Sequence, residues 1–92
     1  MSVAPSWRVE LDEAAAKELR KLGAPDRQRI LRFLRERLGT KDDPRRLVTA
    51  LTGFFAGLWR YRIGDWRVIA AIEDERITVA VLRIGHRREI YR

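Results

Sequence analysis

The fold is decided by one stretch in the second half of the chain, Leu58-Trp-Arg-Tyr-Arg-Ile-Gly-Asp-Trp-Arg-Val-Ile-Ala-Ala-Ile-Glu73. Two β-rich segments are separated there by Gly64-Asp65, a dipeptide typical of a two-residue hairpin turn. With these residues at the centre of the turn, Ile63 pairs with Trp66. Arg62 then pairs with Arg67, and because paired residues share a face of the sheet, the two arginines are predicted to lie side by side.

Alternation along the first of these strands separates an aromatic side from a basic side. We expect the aromatic side to pack on helices, which leaves Arg60 and Arg62 on the open face. Like charges opposite each other lower stability unless an anion lies between them, and such local conflicts are typical of functional sites. The alternative is that a carboxylate screens the pair, and the candidates are Asp65, Glu73 and Glu89.

The remaining elements follow from periodicity and capping. Residues 7–11 alternate as a strand, Asp12 is a candidate N-cap for a helix over 13–22, and a second helix runs from about 25 to 38. Residues 45–53 are predicted as a short helix or an irregular crossover, and 77–84 as the last strand. The pattern predicts an α+β domain with an antiparallel meander and a helical hairpin packed on one sheet face.

The excess of basic residues favours a protein that binds a polyanion. The formal net charge is +7, and 17 of the 20 basic residues are arginines. Residues 1–43 hold ten basic and eight acidic residues, whereas 44–92 hold ten and five, so the C-terminal half carries most of the excess. A face that binds phosphates has this charge. The helix arginines at 27, 29, 32, 35 and 37 are interpreted as solvated surface.

Other classes are disfavoured. With no cysteine and one histidine, the chain offers neither a disulfide framework nor a Cys- or His-rich metal site, and we expect no cofactor. Residues 1–7 lack the pattern of a secretion signal, and no apolar run approaches the about 20 residues of a membrane-spanning helix. We therefore expect a soluble cytoplasmic protein of one domain.

Arginines beside a histidine and a tyrosine suit RNA cleavage without a metal. Attack of a ribose 2′-OH on phosphorus requires a base, an acid and cations for the extra negative charge. The cations can come from four arginines: Arg60, Arg62, Arg67 and Arg87. His86 and Tyr91 are the available proton carriers, and Tyr91 requires its pKa to be lowered by neighbouring arginines. The alternatives are that His86 is an ordinary polar residue and that Tyr91 anchors the C-terminus.

Four stretches resemble the RelE/ParE toxin superfamily: Asp42-Asp-Pro-Arg-Arg46, Ala50-Leu-Thr-Gly53, Gly57-Leu-Trp-Arg-Tyr-Arg-Ile-Gly-Asp-Trp-Arg-Val68 and Val81-Leu-Arg-Ile-Gly-His-Arg-Arg-Glu-Ile-Tyr91. The resemblance covers the chain from Trp7 onward. It implies a β-αα-βββ toxin domain over residues 1–92, encoded beside an inhibitory antitoxin. The RelE-type branch cleaves mRNA in the ribosomal A site and arrests translation and growth, whereas the ParE-type branch poisons DNA gyrase.

The resemblance also implies roles for single residues. The strand arginines of the family fall on Arg60 and Arg67, a later arginine on Arg87, and the terminal tyrosine on Tyr91. Leu58 stands where some members have a lysine that carries protons, and His86 stands where some have lysine. The match at Tyr91 favours the nuclease branch. Contacts to flanking RNA or ribosomal RNA are expected from four further arginines: Arg45, Arg46, Arg62 and Arg88.

Three functions remain open from the sequence. The first is a ribosome-dependent mRNA endoribonuclease, the second a gyrase-directed toxin, and the third a toxin-derived domain that binds without catalysis. The expected partners are the ribosome with its mRNA and a RelB-like antitoxin. An acidic, partly disordered antitoxin segment that folds on binding would suit the +7 charge and form a hetero-oligomer.

Overall fold

The structure is a computed structural model, and it describes residues 5–47, 49–50 and 57–89. The elements are β1 (Arg8–Leu11), α1 (Glu13–Arg20), α2 (Ala24–Phe33), β2 (Thr49–Ala50), β3 (Trp59–Ile63), β4 (Trp66–Glu73) and β5 (Thr78–His86). A π-helical segment, Leu34–Leu38, extends α2, and a 3₁₀ turn, Pro44–Leu47, precedes β2. No helix in these ranges is long and apolar enough to cross a membrane.

The helical hairpin forms where the sequence predicts it. Asp12 caps α1, and its carboxylate accepts from the Ala14 N–H at 3.4 Å. This helix ends at Arg20, two residues earlier than predicted. The second helix reaches the predicted end at Leu38, but only through the π-helical segment. Leu34 and Leu38, at the two ends of this segment, are both buried in the core.

The sheet is mixed rather than a purely antiparallel meander. Its order is β1-β5-β4-β3-β2, and the β3–β4–β5 part is antiparallel as predicted. The first strand pairs with β5 in parallel, from Arg8 opposite Thr78 to Leu11 opposite Val81. The parallel pairing follows from chain direction: the helical hairpin leads into β2, which runs antiparallel to β1, and the three antiparallel steps from β2 to β5 bring β5 back to the direction of β1. The region predicted as a short helix or crossover contains the 3₁₀ turn and β2, which was not expected to join the sheet.

The core lies between the sheet and the two helices. Tyr61 is fully buried, its ring meets Phe33 edge-on at 5.8 Å, and its hydroxyl donates to the Pro44 carbonyl at 2.9 Å. The aromatic side of β3 therefore packs on the helices as predicted. The consecutive residues Val68, Ile69 and Ala70 are all buried, so both faces of β4 are covered at that point.

Candidate nucleic-acid interface

The β3–β4 hairpin opposes the two arginines as the sequence predicts. Arg62 pairs with Arg67, and Ile63 pairs with Trp66. Ile63 belongs to the core beneath the helices, so alternation places Arg62 and Arg67 on the other face of the sheet. Arg60 lies on that same face, two residues along β3 and about 7 Å away by strand geometry. Three predicted site residues thus share one face.

Arg67 is a buried charge at the end of the hairpin, with 6% of its surface exposed. Its Nη1 donates to the carbonyls of Gly64 and Trp66, both at 2.9 Å. The carbonyl dipoles of the turn therefore offset part of the repulsion that Arg62 imposes. Of the carboxylates considered as an alternative screen for the pair, Asp65 lies beside Arg87 and Glu73 accepts from Arg76.

Arg87 arrives at the same turn from the far end of β5. Its backbone N–H donates to the Asp65 carbonyl at 2.8 Å, and its Nε lies 3.7 Å from the Asp65 carboxylate. Half of its side chain is exposed, so the guanidinium is accessible to a ligand. Arg62, Arg67 and Arg87 therefore converge on the Gly64–Asp65 turn, whereas in the sequence they span 26 residues.

His86 is not brought onto the arginine face. It pairs with Trp66, and the two rings meet edge-on at 5.7 Å, on the side of the sheet that faces the helices. The reason is a β-bulge: Ala70 pairs with Val81 but Ile69 pairs with Arg83, so Leu82 is skipped. Because one extra residue reverses the alternation beyond it, His86 faces the helices.

The hydrogen bonding of His86 is also local. Its Nδ1 accepts from the backbone N–H of Arg88 at 3.2 Å, which assigns the proton of the neutral ring to Nε2. Arg88 itself is exposed beside it. Tyr91, the other predicted proton carrier, lies outside the described residues. Tyr61 does not replace it, because burial raises the pKa of the Tyr61 hydroxyl to about 12 and this hydroxyl already donates a hydrogen bond to the Pro44 carbonyl.

A match to a family model decides the family. The model describes the ParE toxin of type II toxin–antitoxin systems, parDE, and it matches residues 9–91. The chain belongs to this family. The toxin is also similar over 50 residues, at 40% identity, to the Mycobacterium tuberculosis protein Toxin RelG. That match covers 54% of this chain and 58% of the relative, so the chain spans little more than half of the relative's length.

Solved structures share the fold of the toxin. A chain of the M. tuberculosis toxin–antitoxin complex RelBE2 is 27% identical with a TM-score of 0.83, over 97% of this chain and 100% of that chain. A chain of the archaeal RelE–RelB complex from Pyrococcus horikoshii is 27% identical with a TM-score of 0.72, over 91% and 98%. The isolated Escherichia coli RelE toxin is 27% identical with a TM-score of 0.69, over 94% and 92%.

Arg45 and Arg46 of the toxin are held by carboxylates instead of standing free for RNA. Arg45 donates from Nη1 and Nη2 to the Asp74 carboxylate at 3.0 and 2.6 Å, and its guanidinium lies 5.5 Å from the Trp59 ring centre. These hydrogen bonds raise the pKa of Arg45 and lower the pKa of Asp74. Arg46 lies 3.0 Å from Asp42. Their predicted RNA contacts therefore require breaking ion pairs.

A second basic surface includes helix arginines that the sequence indicated as solvated surface only. Arg29, Arg32 and Arg37 of the α2 region line an open depression of about 350 Å³ together with Arg62. Their spacing of three and eight residues places them along one side of the helix, which is the signal that could have identified them. Within the described residues, no three acidic or histidine side chains come together as a possible metal site.

Proposed function

We propose that this toxin is a metal-independent endoribonuclease that cleaves mRNA in the ribosomal A site. The observation that carries the proposal is the convergence of Arg62, Arg67 and Arg87 on one turn, with Arg60 on the same sheet face. Guanidiniums gathered at one turn suit a dianionic transition state better than they suit a neutral ligand.

In the proposed reaction the ribose 2′-OH loses its proton and its oxygen forms a bond to the adjacent phosphorus. The bond from phosphorus to the 5′-oxygen breaks, and that oxygen takes up a proton. The products are a 2′,3′-cyclic phosphate and a 5′-hydroxyl. Arg60, Arg67 and Arg87 bind the phosphate oxygens and stabilise the added charge, each donor being worth roughly 2–4 kcal/mol of barrier by analogy with oxyanion holes.

Of the two proton carriers that the sequence offers, we favour Tyr91. The bulge at Leu82 turns His86 toward Trp66, away from the face that carries Arg67. A tyrosine near several guanidiniums has its anionic form stabilised, which suits a base. Arg62 and Arg88 are exposed and are assigned to flanking RNA. Arg45 and Arg46 are assigned to it only if RNA displaces their carboxylates.

The proposed inhibitor is an antitoxin with an acidic segment that folds on the toxin. Two considerations support it: the +7 charge of the chain, and the presence of matching chains in the RelBE2 and RelE–RelB complexes. Ordering an acidic segment on a basic domain adds charge-assisted hydrogen bonds and buries apolar surface. We expect the complex to melt at a higher temperature than the free toxin, and equal melting temperatures would contradict this.

A gyrase-directed activity is the second candidate, because the matching family model is described as ParE. In that case the arginine cluster binds protein or DNA and carries out no chemistry. Trapped gyrase–DNA cleavage complexes together with an intact message would favour this candidate. A domain that has lost its activity would leave growth unaffected when it is expressed.

Primer extension on a translated message tests the proposed function. Wild-type protein should produce codon-phased cuts only when ribosomes are present, and the double variant Arg67→Ala/Arg87→Ala should produce none. The control Arg8→Ala/Arg20→Ala removes the same charge from exposed positions and should cut normally. Persistent cleavage by the first double variant would rule out the assignment of the site.

A further inference from the structure

The depression between α2 and the hairpin turn gathers cationic side chains next to the proposed site. It has a volume of about 350 Å³, and Ile63 and Gly64 form its floor at the turn. Its polar and aromatic lining consists of Arg29, Arg32, Phe33, Glu36, Arg37 and Arg62. Four guanidiniums and one carboxylate leave a net charge of +3, which is unfavourable unless an anion is bound.

The arginines of the depression lack the ion pairs that half of the other described arginines have. Across residues 5–47, 49–50 and 57–89, no ion pair joins any of these four to a carboxylate. Six other arginines do have such a partner within 4 Å: Arg8, Arg45, Arg46, Arg76, Arg83 and Arg87. The depression therefore brings together four arginines that no described carboxylate neutralises.

Arg29 and Arg62 connect the depression to the proposed site. A Cβ built on Gly64 would lie 2.7 Å from Nη1 of Arg29, so the glycine lets this guanidinium pack directly over the turn. The same turn accepts hydrogen bonds from Arg67 and Arg87. On β3, Arg62 lies beyond the pairing with β2, which involves Trp59 and Arg60, and its side chain lines the depression. The two basic surfaces are therefore continuous.

We propose that this depression binds the cleaved RNA strand where it continues from the scissile phosphate, with Arg29, Arg32 and Arg37 on successive phosphates. Arg29 to Arg37 extends about 12 Å along the helix axis, enough for more than one phosphate. Phe33 adds an aromatic edge against which a base can pack, as in other single-strand channels. The inference rests on the proposed function only in taking the bound RNA to be the strand that is cleaved.

Binding of RNA of two lengths to the purified full chain tests this inference. Fluorescence anisotropy would compare labelled 2′-O-methyl RNAs of 4 and 12 nucleotides, which cannot be cleaved by 2′-OH attack. The test variant is Arg29→Gln/Arg32→Gln/Arg37→Gln, in which glutamine keeps helix propensity. The control is Lys17→Gln/Arg20→Gln/Arg35→Gln, which removes the same charge from other exposed helix positions.

The test variant should bind the 12-nucleotide RNA at least about tenfold more weakly, with a salt slope reduced by about 2, since each single-strand phosphate contact contributes about 0.7. Its affinity for the shorter RNA and both affinities of the control should stay within about threefold of wild type. Equal losses in both triple variants, or no loss in either, would overturn the inference. A variant that loses antitoxin binding but keeps RNA binding would overturn it in favour of a protein partner.

The same variants separate this inference from the proposed function. Codon-phased cleavage by wild type, with unchanged RNA affinity in the test variant, would leave the function standing and remove the depression from it. Length-dependent RNA binding that needs Arg29, Arg32 and Arg37, without any cut message, would support the depression and overturn the nuclease.

Discussion

Arg62 and Arg67 oppose each other directly across β3 and β4, and the guanidinium of Arg67 is turned back onto the hairpin turn. Two carbonyls accept from its Nη1, so backbone dipoles offset part of the repulsion between the two guanidiniums. An anion that reaches this face is attracted by both positive charges. The relationship links the local fold to ligand binding.

The substitutions Arg67→Ala and Arg87→Ala are predicted to change the stability of the protein by different amounts but to reduce its cleavage activity alike. Arg67→Ala should lower the free energy of unfolding by about 1–3 kcal/mol, because it removes buried hydrogen bonds. Arg87→Ala should change it by less than about 0.5 kcal/mol at a half-exposed position. Both should reduce ribosome-dependent cleavage about 100-fold or more. Urea titration and single-turnover cleavage measure the two effects, and full activity in Arg87→Ala would contradict the proposed site.

The substitutions Arg45→Ala and Arg62→Ala are predicted to separate thermal stability from RNA binding. Arg45→Ala should lower Tm, because Asp74 loses its partner and Trp59 loses its cation, and should weaken RNA binding little. Arg62→Ala should leave Tm unchanged or raise it slightly, because the repulsion on Arg67 is relieved, and should weaken binding of a 12-nucleotide RNA several-fold. Thermal melts and anisotropy on both variants provide the comparison. A greater loss of RNA affinity in Arg45→Ala would return that residue to the RNA-binding set.

Tyr61 is predicted to make stability fall at alkaline pH. Its folded-state pKa of about 12 lies above the unfolded value of about 10, so folding favours the protonated hydroxyl. Its contribution is therefore complete below about pH 10 and is lost as pH rises toward 12. Tyr61→Phe should cost about 1–3 kcal/mol at neutral pH, because the buried Pro44 carbonyl loses its donor, and should flatten the alkaline decline.

Denaturation between pH 7 and 12 checks this prediction. The same titration of Tyr91→Phe separates the two tyrosines of the chain. If the alkaline decline in stability disappears in Tyr91→Phe and persists in Tyr61→Phe, then Tyr91 causes it and the prediction is wrong.

Gly64 and Gly57 provide a matched pair at positive φ. Both Gly64→Ala (φ 61°) and Gly57→Ala (φ 89°) should cost about 1–2 kcal/mol, since L-residues are disfavoured there. Only the methyl group at position 64 meets Arg29, whereas the described residues place nothing within 4 Å of one at position 57. Gly64→Ala alone should therefore weaken RNA binding, and equal binding by the two variants would show that the position of Arg29 over the turn is unimportant.

Much of the fold follows from local sequence. The Gly64-Asp65 turn sets the β3–β4 register, Asp12 starts α1, and alternation separates the aromatic and basic sides of β3. Each depends on residues that are close in the chain, so turn geometry and side-chain period are sufficient. The extent of the second helix was predicted, but its π-helical end was not, because that adjustment depends on packing of Leu34 and Leu38 in the core.

Which residues come together at the site depended on contacts between segments that are far apart in the chain. The sequence by itself determined that Arg62 opposes Arg67, because only a two-residue turn separates their strands. The tertiary structure decided that β1 joins β5 in parallel, that Arg45 is held by Asp74, and that Arg29 lies over Gly64. It also decided the position of His86, because a bulge at one residue moves every later side chain of the strand to the opposite face of the sheet. Periodicity in the sequence does not reveal where a strand skips a residue.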